Sequence, residues 1–493
     1  MCRHGRCIDG AIVAGPALRN EAIRKDYLDR RIAEISLFEG GRAPQSRMQL
    51  LRDTIEGLFS EASSGTFWPT LGQAYAGLID GHASAPIMGY PGRLNAGICL
   101  HEGEADLLPT SLVGDGVLPL VFVVPDSEIG ARLREGDAVI AIDGLTPALW
   151  AERAARALHH PGDPAGRSVV IAPQLLTAAV DAGSVITFAR CGGPEACTEE
   201  TTETFSIDFG AELGDAMFGG EFPVWSRDYV DCDFRFRHAV EVADAREYTH
   251  AAYADLETGA GLGRVLQING VPSEQMEGGA EWFAVVRDAV TAVPARGLVL
   301  DQRLGGGGSM EAVDLLMGAL LDSDDFWAME VLPNLEGDVD MATIEGLRAC
   351  VAANQTGEYG CGIYLQWVLG GSGGLRGVAS QGKLAVVNAN DVSGNDFTSR
   401  LATFRGAETR FFGDGATWGA FGVIWSLPSH IGEVAGGSFQ VHDTLFYKTP
   451  TDNHLEFATS TGVRPDEVVR QKQSDALLGV DTVLQAALNW LAE

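Results

Sequence analysis

The chain has 493 residues, and its 35 basic and 67 acidic side chains give a formal net charge of −32 at pH 7. A hydrophobic fraction of 46% with 21% charged residues is typical of globular proteins and argues against long disordered or low-complexity regions. The negative charge disfavours nucleic acids and anionic membrane surfaces as partners, and no apolar run reaches the roughly 18 residues of a membrane-spanning helix.

The first part of the chain has a helical pattern. Apolar residues recur at helical spacing over 20–62, and a further helix is expected at 70–79, running into Asp80-Gly81-His82. A short strand is expected at 96–100. We therefore assign residues 1–117 to an N-terminal helical segment.

Residues 118–212 have a different sequence pattern, in which short apolar runs are separated by turn residues. A strand at 118–124 leads to Leu133–Leu145, in which Gly136-Asp137 marks a turn and Asp143-Gly144 is a hairpin signal. A short helix and two further strands are expected at 147–158, 168–171 and 185–188. The segment resembles a PDZ domain, whose hallmark is an x-x-G-D-x-I-x-x-I-D-G run and which binds extended peptide ends by strand addition. Any small hairpin-rich insert is the alternative.

The remaining residues, 213–493, alternate between strands and helices. Strands are expected at 264–268, 297–301 and 384–388, and helices at 281–292, 310–321 and 395–404. Short continuous apolar strands that alternate with helices predict a mostly parallel sheet, with functional loops at the carboxyl ends of the strands. Residues 325–380 form an insertion between two of these strands, either a lid over a cleft or a partner surface.

The eight cysteines lack the C-x-x-C spacing of zinc and thioredoxin-like sites, and no metal or cofactor is predicted. Cys191 and Cys197 predict a disulfide-closed hairpin tip, and Cys350 and Cys361 bracket a second loop. Such spacing favours an oxidising compartment, extracellular or periplasmic, although the N-terminus lacks the apolar core of a signal peptide. The alternative is a set of idle thiols in a cytosolic protein.

A glycine-rich loop, Gly305–Gly308, follows the predicted strand at 297–301. It lacks the Lys-Ser/Thr pair of a P-loop and the spacing of a dinucleotide-binding loop. Its bare backbone N–H groups suit an oxyanion hole, with a flexible turn as the alternative.

Ser393 lies between the predicted strand at 384–388 and the next helix and is followed by Gly394. A sharp strand-to-helix turn exposes a serine hydroxyl and directs the next N–H toward a developing oxyanion, as a nucleophile requires. The alternative is a helix N-cap, with Asp396 at the capping-box position.

The order of these elements resembles the S41 peptidases, which include the carboxy-terminal processing proteases and the tricorn core protease. The segments that carry the resemblance are Leu78–Ser84 (family pattern L-x-D-G-H-T), Leu298–Gly308 (V-x-D-L-R-x-N-G-G-G), Asn390–Asp396 (S-A-S-A-x-E) and Leu455–Asp466 (L-E-x-x-G-V-x-P-D). Gly394 and Asn395 depart from the pattern that follows the serine. The resemblance implies an α/β fold with a ClpP/crotonase-like core, a parallel-rich sheet, a PDZ-like β domain and an N-terminal helical segment.

The resemblance also implies a catalytic set. Carboxy-terminal processing members use a Ser–Lys pair, but the matching stretch at 413–420 has no lysine, and none of the four lysines of the chain fits. The tricorn-like branch instead uses a His before the PDZ domain and a Glu near the end of the chain. Ser393 would then be the nucleophile, His82 the general base and Glu456 the residue that holds the imidazolium. Oxyanion donors would be the N–H groups of Gly306 or Gly307 and of Gly394.

Alternatives remain for the residues and for the function. His454, two residues from Glu456, is the rival base, and His82 is alternatively structural. The favoured function is a secreted serine endopeptidase of the carboxy-terminal processing type, acting on polypeptides. A serine esterase on the same site and a non-catalytic ligand-binding member of the fold are the alternatives.

Overall fold

The computed structural model describes about half of the residues of the chain, most of them after position 98. The described residues are 2–3, 6–7, 53, 57, 99–114, 116–123, 130–154, 179, 184–209, 211, 246–248, 251–268, 270–303, 305, 307–321, 326–331, 363–369, 375–389, 394–403, 405, 408–417, 424–426, 438–440, 443–447, 456–457 and 462–493. The helices predicted at 20–62 and 70–79 lie outside this set, apart from positions 53 and 57, which are helical.

The strands are numbered in chain order. They are β1 (Cys2–Arg3), β2 (Arg6–Cys7), β3 (Cys99–Glu104), β4 (Val117–Val123), β5 (Ala138–Ile142), β6 (Val185–Arg190), β7 (Glu203–Asp208), β8 (Arg246–Tyr248), β9 (Ala251–Thr258), β10 (Gly261–Ile268), β11 (Leu298–Asp301), β12 (Phe326–Val331), β13 (Ile363–Leu369), β14 (Leu384–Val387), β15 (Thr409–Gly413), β16 (Ile424–Ser426), β17 (Ser438–Gln440), β18 (Asp443–Tyr447), β19 (Glu456–Phe457), β20 (Glu467–Val468) and β21 (Gln471–Lys472).

The described helices are numbered in the same way. They are α1 (Thr110–Val113), α2 (Pro147–Ala154), α3 (Gly279–Val290), α4 (Met310–Leu320), α5 (Gly394–Ala402), α6 (Gln473–Leu477) and α7 (Thr482–Ala492), with a short 3₁₀ turn at Gly130–Arg132. In this part of the chain, no helix is long and apolar enough to cross a membrane.

A seven-stranded mixed sheet forms the core, in the order β20-β15-β14-β11-β10-β9-β8. The strands β10, β11, β14, β15 and β20 are parallel, and β9 and β8 join antiparallel at one edge. The helices α3, α4 and α5 each lie between two successive strands of the series β10, β11, β14 and β15 along the chain. The prediction of an α/β fold with a parallel-rich sheet is confirmed, and each predicted core strand and helix matches an observed one within about three residues at either end.

The two faces of this sheet are covered by different helices. One face packs on α3, α4 and α5 through a cluster that includes Trp282, Leu316 and Val386, all fully buried. The other face packs on α7 through Phe412, Leu488 and their neighbours. Because both faces are covered, the central strands are continuously apolar, which is why the sequence pattern identified them.

A six-stranded sheet, in the order β21-β3-β4-β5-β6-β7, contains the segment predicted to be PDZ-like. It is antiparallel except for β21, which comes from the end of the chain and pairs parallel with β3. Two of its strands, at 99–104 and 471–472, therefore lie outside 118–212. The expected hairpin turn at Asp143-Gly144 is present, with positive φ at both residues and an antiparallel bridge between Ile142 and Leu145, and the chain then enters α2. The predicted disulfide between Cys191 and Cys197 is present after β6.

A four-stranded antiparallel sheet, β13-β12-β18-β19, uses part of the predicted insertion. The insertion at 325–380 supplies β12 and β13, and β12 pairs with β18 from much later in the chain. Glu456 begins β19, where its backbone lies opposite Phe446. The insertion is therefore built into the sheet that carries Glu456.

Candidate active site

Three loops meet at one edge of the seven-stranded sheet, because β10, β11 and β14 are parallel and end side by side. The strand β10 leads toward Val271, β11 leads into the glycine-rich loop at 302–309, and β14 leads into the segment that ends at Ser393 before α5. The predicted oxyanion loop and the predicted nucleophile turn therefore belong to the same edge.

The glycine-rich loop is attached to the segment after β10. Val271 and Gly308 form a parallel bridge, in which Val271 N–H donates to Gly307 O at 3.1 Å and Ser309 N–H donates to Val271 O. Gly308 has a φ of 138°, and a Cβ there would lie 2.3 Å from Val271 O. This position therefore accepts only glycine.

The first residue of α5 contacts the same loop. A Cβ on Gly394 would lie 3.0 Å from the backbone N of Gly308 and 2.7 Å from Val271 Cγ2. The bridge to Val271 uses Gly307 O and Ser309 N–H and leaves the N–H of Gly308 out of that pairing. The first N–H groups of a helix have no acceptor within the helix. The backbone nitrogen of Gly308 thus lies close to Gly394, the residue that follows Ser393 in the chain.

Asn395 connects the helix to the loop through a buried hydrogen bond. Its Oδ1 accepts from the N–H of Gly307 at 2.9 Å, and its side chain is fully buried. Because the backbone N–H is a donor and needs an acceptor, the oxygen of the Asn395 side-chain amide, and not its nitrogen, faces Gly307. The N–H of Gly307, a predicted oxyanion donor, is occupied by Asn395 in this arrangement. Gly306 lies outside the described residues, and its role stays a prediction.

A neutral hydrogen-bond network lies directly beneath the loop. Gln302 follows β11, and its amide contacts the hydroxyls of Thr398 and Ser399 on α5. Ser399 Oγ donates to Asn388 Oδ1 at 2.9 Å, and Thr398 Oγ1 also reaches Asn395 O at 2.6 Å. These residues are fully buried, where hydrogen-bonded amides and hydroxyls fix one arrangement of their elements.

Asp396 ties the same helix to the segment that follows β19. Its Oδ1 accepts from the hydroxyl of Thr417, and the Thr417 hydroxyl in turn accepts from Val463 N–H at 2.7 Å. A Cβ on Gly462 would overlap Thr417 O, at 1.7 Å. The Gly-Val pair of the motif at 455–466 is thus docked on the loop after β15. The other carboxylate oxygen of Asp396, Oδ2, lies 3.5 Å from Nε of Arg400 on the same helix. The alternative of a capping box between Ser393 and Asp396 stays a prediction, since Ser393 lies outside the described residues.

A buried ionic cluster lies on the opposite face of the sheet, toward α7. The guanidinium of Arg303 binds Asp301 and Asp481, each at 2.6 Å, and Asp481 caps the N-terminus of α7. His101 of β3 lies 3.7 Å from Asp414, which follows β15. The cluster joins the six-stranded sheet, the core sheet and the last helix.

The pKa values of this cluster follow from burial and pairing. Burial alone would lower the pKa of Arg303, but Asp301 and Asp481 outweigh it and raise that pKa. Burial likewise opposes ionisation of Asp481, but the charge of Arg303 prevails and lowers its pKa. Asp414 differs, because burial raises its pKa and His101 offsets this only in part.

Of the other predicted site residues, Ser393, His82 and the rival His454 lie outside the described residues. Glu456 is placed by its backbone in β19. Sequence reasoning identified Gly394 but missed the contacts made by Asn395, Gln302, Asp414 and Asp481. Only Asp481 had a signal, since an Asp before an apolar helix is a typical N-cap. No cluster of His, Cys, Asp and Glu suitable for a metal ion exists within the described residues.

Comparison with solved structures identifies the fold. Mature CPAF complexed with lactacystin superposes with a TM-score of 0.57 at 14% identity, over 96% of this chain and 98% of that one. A second structure of mature CPAF gives the same TM-score of 0.57 at 14% identity, over 96% of this chain and 97% of that one. This chain has the CPAF fold. The resemblance to the S41 peptidases, which rested on four motifs, is confirmed at the level of the fold.

Weaker structural likenesses include the photosystem II D1 C-terminal processing protease, with a TM-score of 0.36, 14% identity and 97% and 98% coverage of the two chains. A putative S41 protease from Bacteroides fragilis NCTC 9343 gives 0.34, 13% identity and 80% and 82% coverage. No protein-family model matches the sequence, and no curated protein matches it significantly.

Proposed function

We propose that this chain is a serine hydrolase, most specifically a peptidase of the S41 type, with Ser393 as its nucleophile. The observation that carries the proposal is the close approach of Gly394, the residue after the serine, to the backbone nitrogen of Gly308 in the glycine-rich loop. Paired N–H groups beside a nucleophile are the arrangement that acyl transfer needs for its oxyanion. The CPAF fold supports the same reading.

The proposed reaction follows acyl-enzyme chemistry. Ser393 Oγ attacks the carbonyl carbon of the substrate while His82 accepts its proton, and the carbonyl oxygen becomes an oxyanion held by Gly394 N–H and an N–H of the glycine-rich loop. The tetrahedral intermediate collapses, and His82 delivers its proton to the leaving amine. Water, deprotonated by His82, then hydrolyses the ester and restores the serine. Glu456 orients the imidazole and stabilises its charged form.

The lysines of the described chain are placed away from this chemistry. Lys383 lies before β14, at the end of the strand opposite to Ser393, and its ammonium donates to Trp490 O at 2.8 Å. Lys472 belongs to β21, in the other sheet. These placements support a His base over a Lys base.

Location and substrate delivery are part of the proposal. The Cys191–Cys197 disulfide supports an oxidising compartment, outside the cytosol. We propose that the six-stranded sheet binds extended polypeptide in the manner of a PDZ domain and presents it to the core. Polypeptides are therefore the favoured substrates.

A fluorophosphonate probe tests the nucleophile. We expect a covalent adduct on Ser393 in the wild-type protein, mapped by peptide mass spectrometry, and its loss in Ser393→Ala together with all hydrolysis. A folded wild-type protein without an adduct would rule out both hydrolase readings and leave a ligand-binding member of the fold. Ser60→Ala controls for the loss of a hydroxyl elsewhere.

Rates on casein, peptide anilides and p-nitrophenyl esters distinguish a peptidase from an esterase. We expect hydrolysis of all three classes, since a peptidase also cleaves activated esters. Cleavage of esters alone would make the protein an esterase. His82→Ala is expected to lower kcat by at least 10³-fold, while unchanged activity would transfer the base role to His454.

A further inference from the structure

The side chain of Asn395 is placed to control which backbone donor reaches the oxyanion. It follows Gly394 on α5, is fully buried, and takes the N–H of Gly307 as its hydrogen-bond donor at 2.9 Å. We infer that Asn395 is a positioning residue, which withdraws Gly307 N–H from the site and thereby presents Gly308 N–H beside Gly394. This inference rests on the proposed hydrolase function.

The glycine-rich loop is held on both sides of Gly308. Gly305 N–H donates to Gln302 O at 2.7 Å, and Gly307 O and Ser309 N–H are bound to Val271. Asn395 supplies the remaining attachment, at Gly307 N–H. With these bonds made, Gly307 and Ser309 are both fixed on either side of Gly308, and the nitrogen of Gly308 lies 3.0 Å from the position that a Cβ on Gly394 would occupy.

The close approach depends on Gly305 as well. A Cβ on Gly305 would lie 2.4 Å from Cγ and 2.5 Å from Nδ2 of Asn395. Any side chain at 305 would therefore push the amide away from Gly307. The two residues form a matched pair, in which the bare backbone of one makes room for the side chain of the other.

Asparagine has the reach that this bridge requires. A serine at this position would place its hydroxyl oxygen one bond closer to the backbone and would not extend as far. Asn395 also keeps its Nδ2 buried, where it has no hydrogen-bond partner among the described residues. An unpaired buried amide nitrogen costs stability, so the residue is not explained by folding alone.

Loss of one oxyanion donor typically lowers kcat by 10²- to 10³-fold. We therefore expect Asn395→Leu, which keeps the size but removes the acceptor, to lower kcat by about 10²-fold with little change in KM. The value is expressed per active site, counted by titration with a fluorophosphonate. A role in folding alone would reduce the number of titrated sites and leave kcat per site at the wild-type value.

Gly305→Ala provides an independent route to the same state. It leaves Asn395 in the sequence but displaces its side chain, so we expect a similar fall in kcat per site. The double variant should be no slower than either single variant, because both changes release the same loop. Asn489→Leu, an exposed amide on α7, is the matched control and should keep wild-type values.

The outcomes separate the inference from the function on which it rests. If wild-type protein forms the Ser393 adduct but Asn395→Leu and Gly305→Ala keep wild-type kcat per site, the positioning role is wrong and the hydrolase stands. If the two single effects multiply in the double variant, the residues act independently and the proposed pairing is wrong. If wild-type protein forms no adduct, the proposed function falls and the inference falls with it.

Discussion

Gln302 and Arg303 are neighbours in sequence, yet they lie on opposite faces of the core sheet in different electrostatic surroundings. Gln302 faces α5 and joins a network of amides and hydroxyls beneath the candidate site. Arg303 faces α7 and is held between Asp301 and Asp481. Neutral groups thus surround Gln302, while the buried cation at Arg303 and its carboxylates attach the last helix. The helix α5 also carries a buried ion pair, in which Asp396 Oδ2 lies 3.5 Å from Arg400 Nε, so the contrast holds for these two neighbours and not for the whole faces.

Removing the cation should cost the most stability. Arg303→Met leaves Asp301 and Asp481 buried without their partner, and we expect the free energy of unfolding to fall by about 3–5 kcal/mol. Denaturation by urea measures the change. Arg410→Met is the control, since Arg410 pairs with Glu467 at the surface and should cost under about 1 kcal/mol. Equal losses in the two variants would contradict the structural role assigned to the cluster.

Loss of the contact between α5 and the loop after β15 should cause the next largest decrease in stability. Thr417→Val keeps the shape of the side chain but removes the hydroxyl that binds Asp396 and Val463 N–H. A hydrogen bond to a buried carboxylate is involved, so we expect a loss of about 2 kcal/mol. Thr482→Val is the control. It removes the hydroxyl of a partly exposed threonine at the start of α7 and so measures how much stability the loss of a hydroxyl costs at another site. A smaller effect in Thr417→Val than in this control would refute the docking role.

The neutral network should be less costly to break. Gln302→Leu removes one amide, but Thr398 and Ser399 each keep a second partner, Asn395 O and Asn388. We expect a loss of about 1 kcal/mol, well below that of Arg303→Met. Gln485→Leu on α7 serves as the matched control. A loss as large as that of Arg303→Met would mean that charge does not distinguish these two neighbours.

The pH dependence of stability should show the smallest effect, and two carboxylates of the ionic cluster contribute to it in opposite directions. The pKa of Asp414 is raised above its ordinary value of 3.8, so protonation stabilises the fold as pH falls toward 3.8. The pKa of Asp481 is lowered, so its contribution is present above 3.8 and is lost as pH falls further. One group changes the free energy of unfolding by at most about 1.4 kcal/mol per pH unit.

Asp414→Asn separates these two windows. It should flatten the stability profile above pH 3.8 relative to wild type and leave the loss below that pH, as measured by urea denaturation across the range. A wild-type profile in this variant would show that Asp414 does not titrate as its burial requires.

The sequence by itself determined the alternation of strands and helices, the α/β class, the Cys191–Cys197 disulfide and the loops that carry the candidate site. It could do so because strands covered on both faces are continuously apolar and because glycines mark the close approaches of backbone. Period and composition are local signals. The resemblance to the S41 peptidases indicated Ser393, His82 and Glu456 as candidates through the order of its motifs, and those roles stay proposals.

Only the tertiary structure decided which groups meet. The bond from Gly307 to Asn395 spans 88 positions, and that from Arg303 to Asp481 spans 178. The use of the insertion in the sheet of Glu456 and the pairing of β21 with β3 are equally non-local. A hydrogen-bond partner is selected by distance and direction in space, which no local pattern encodes. The glycines therefore indicated a site in the sequence. Asn395, the neighbour that binds the loop, could be identified only from the arrangement of the strands in space.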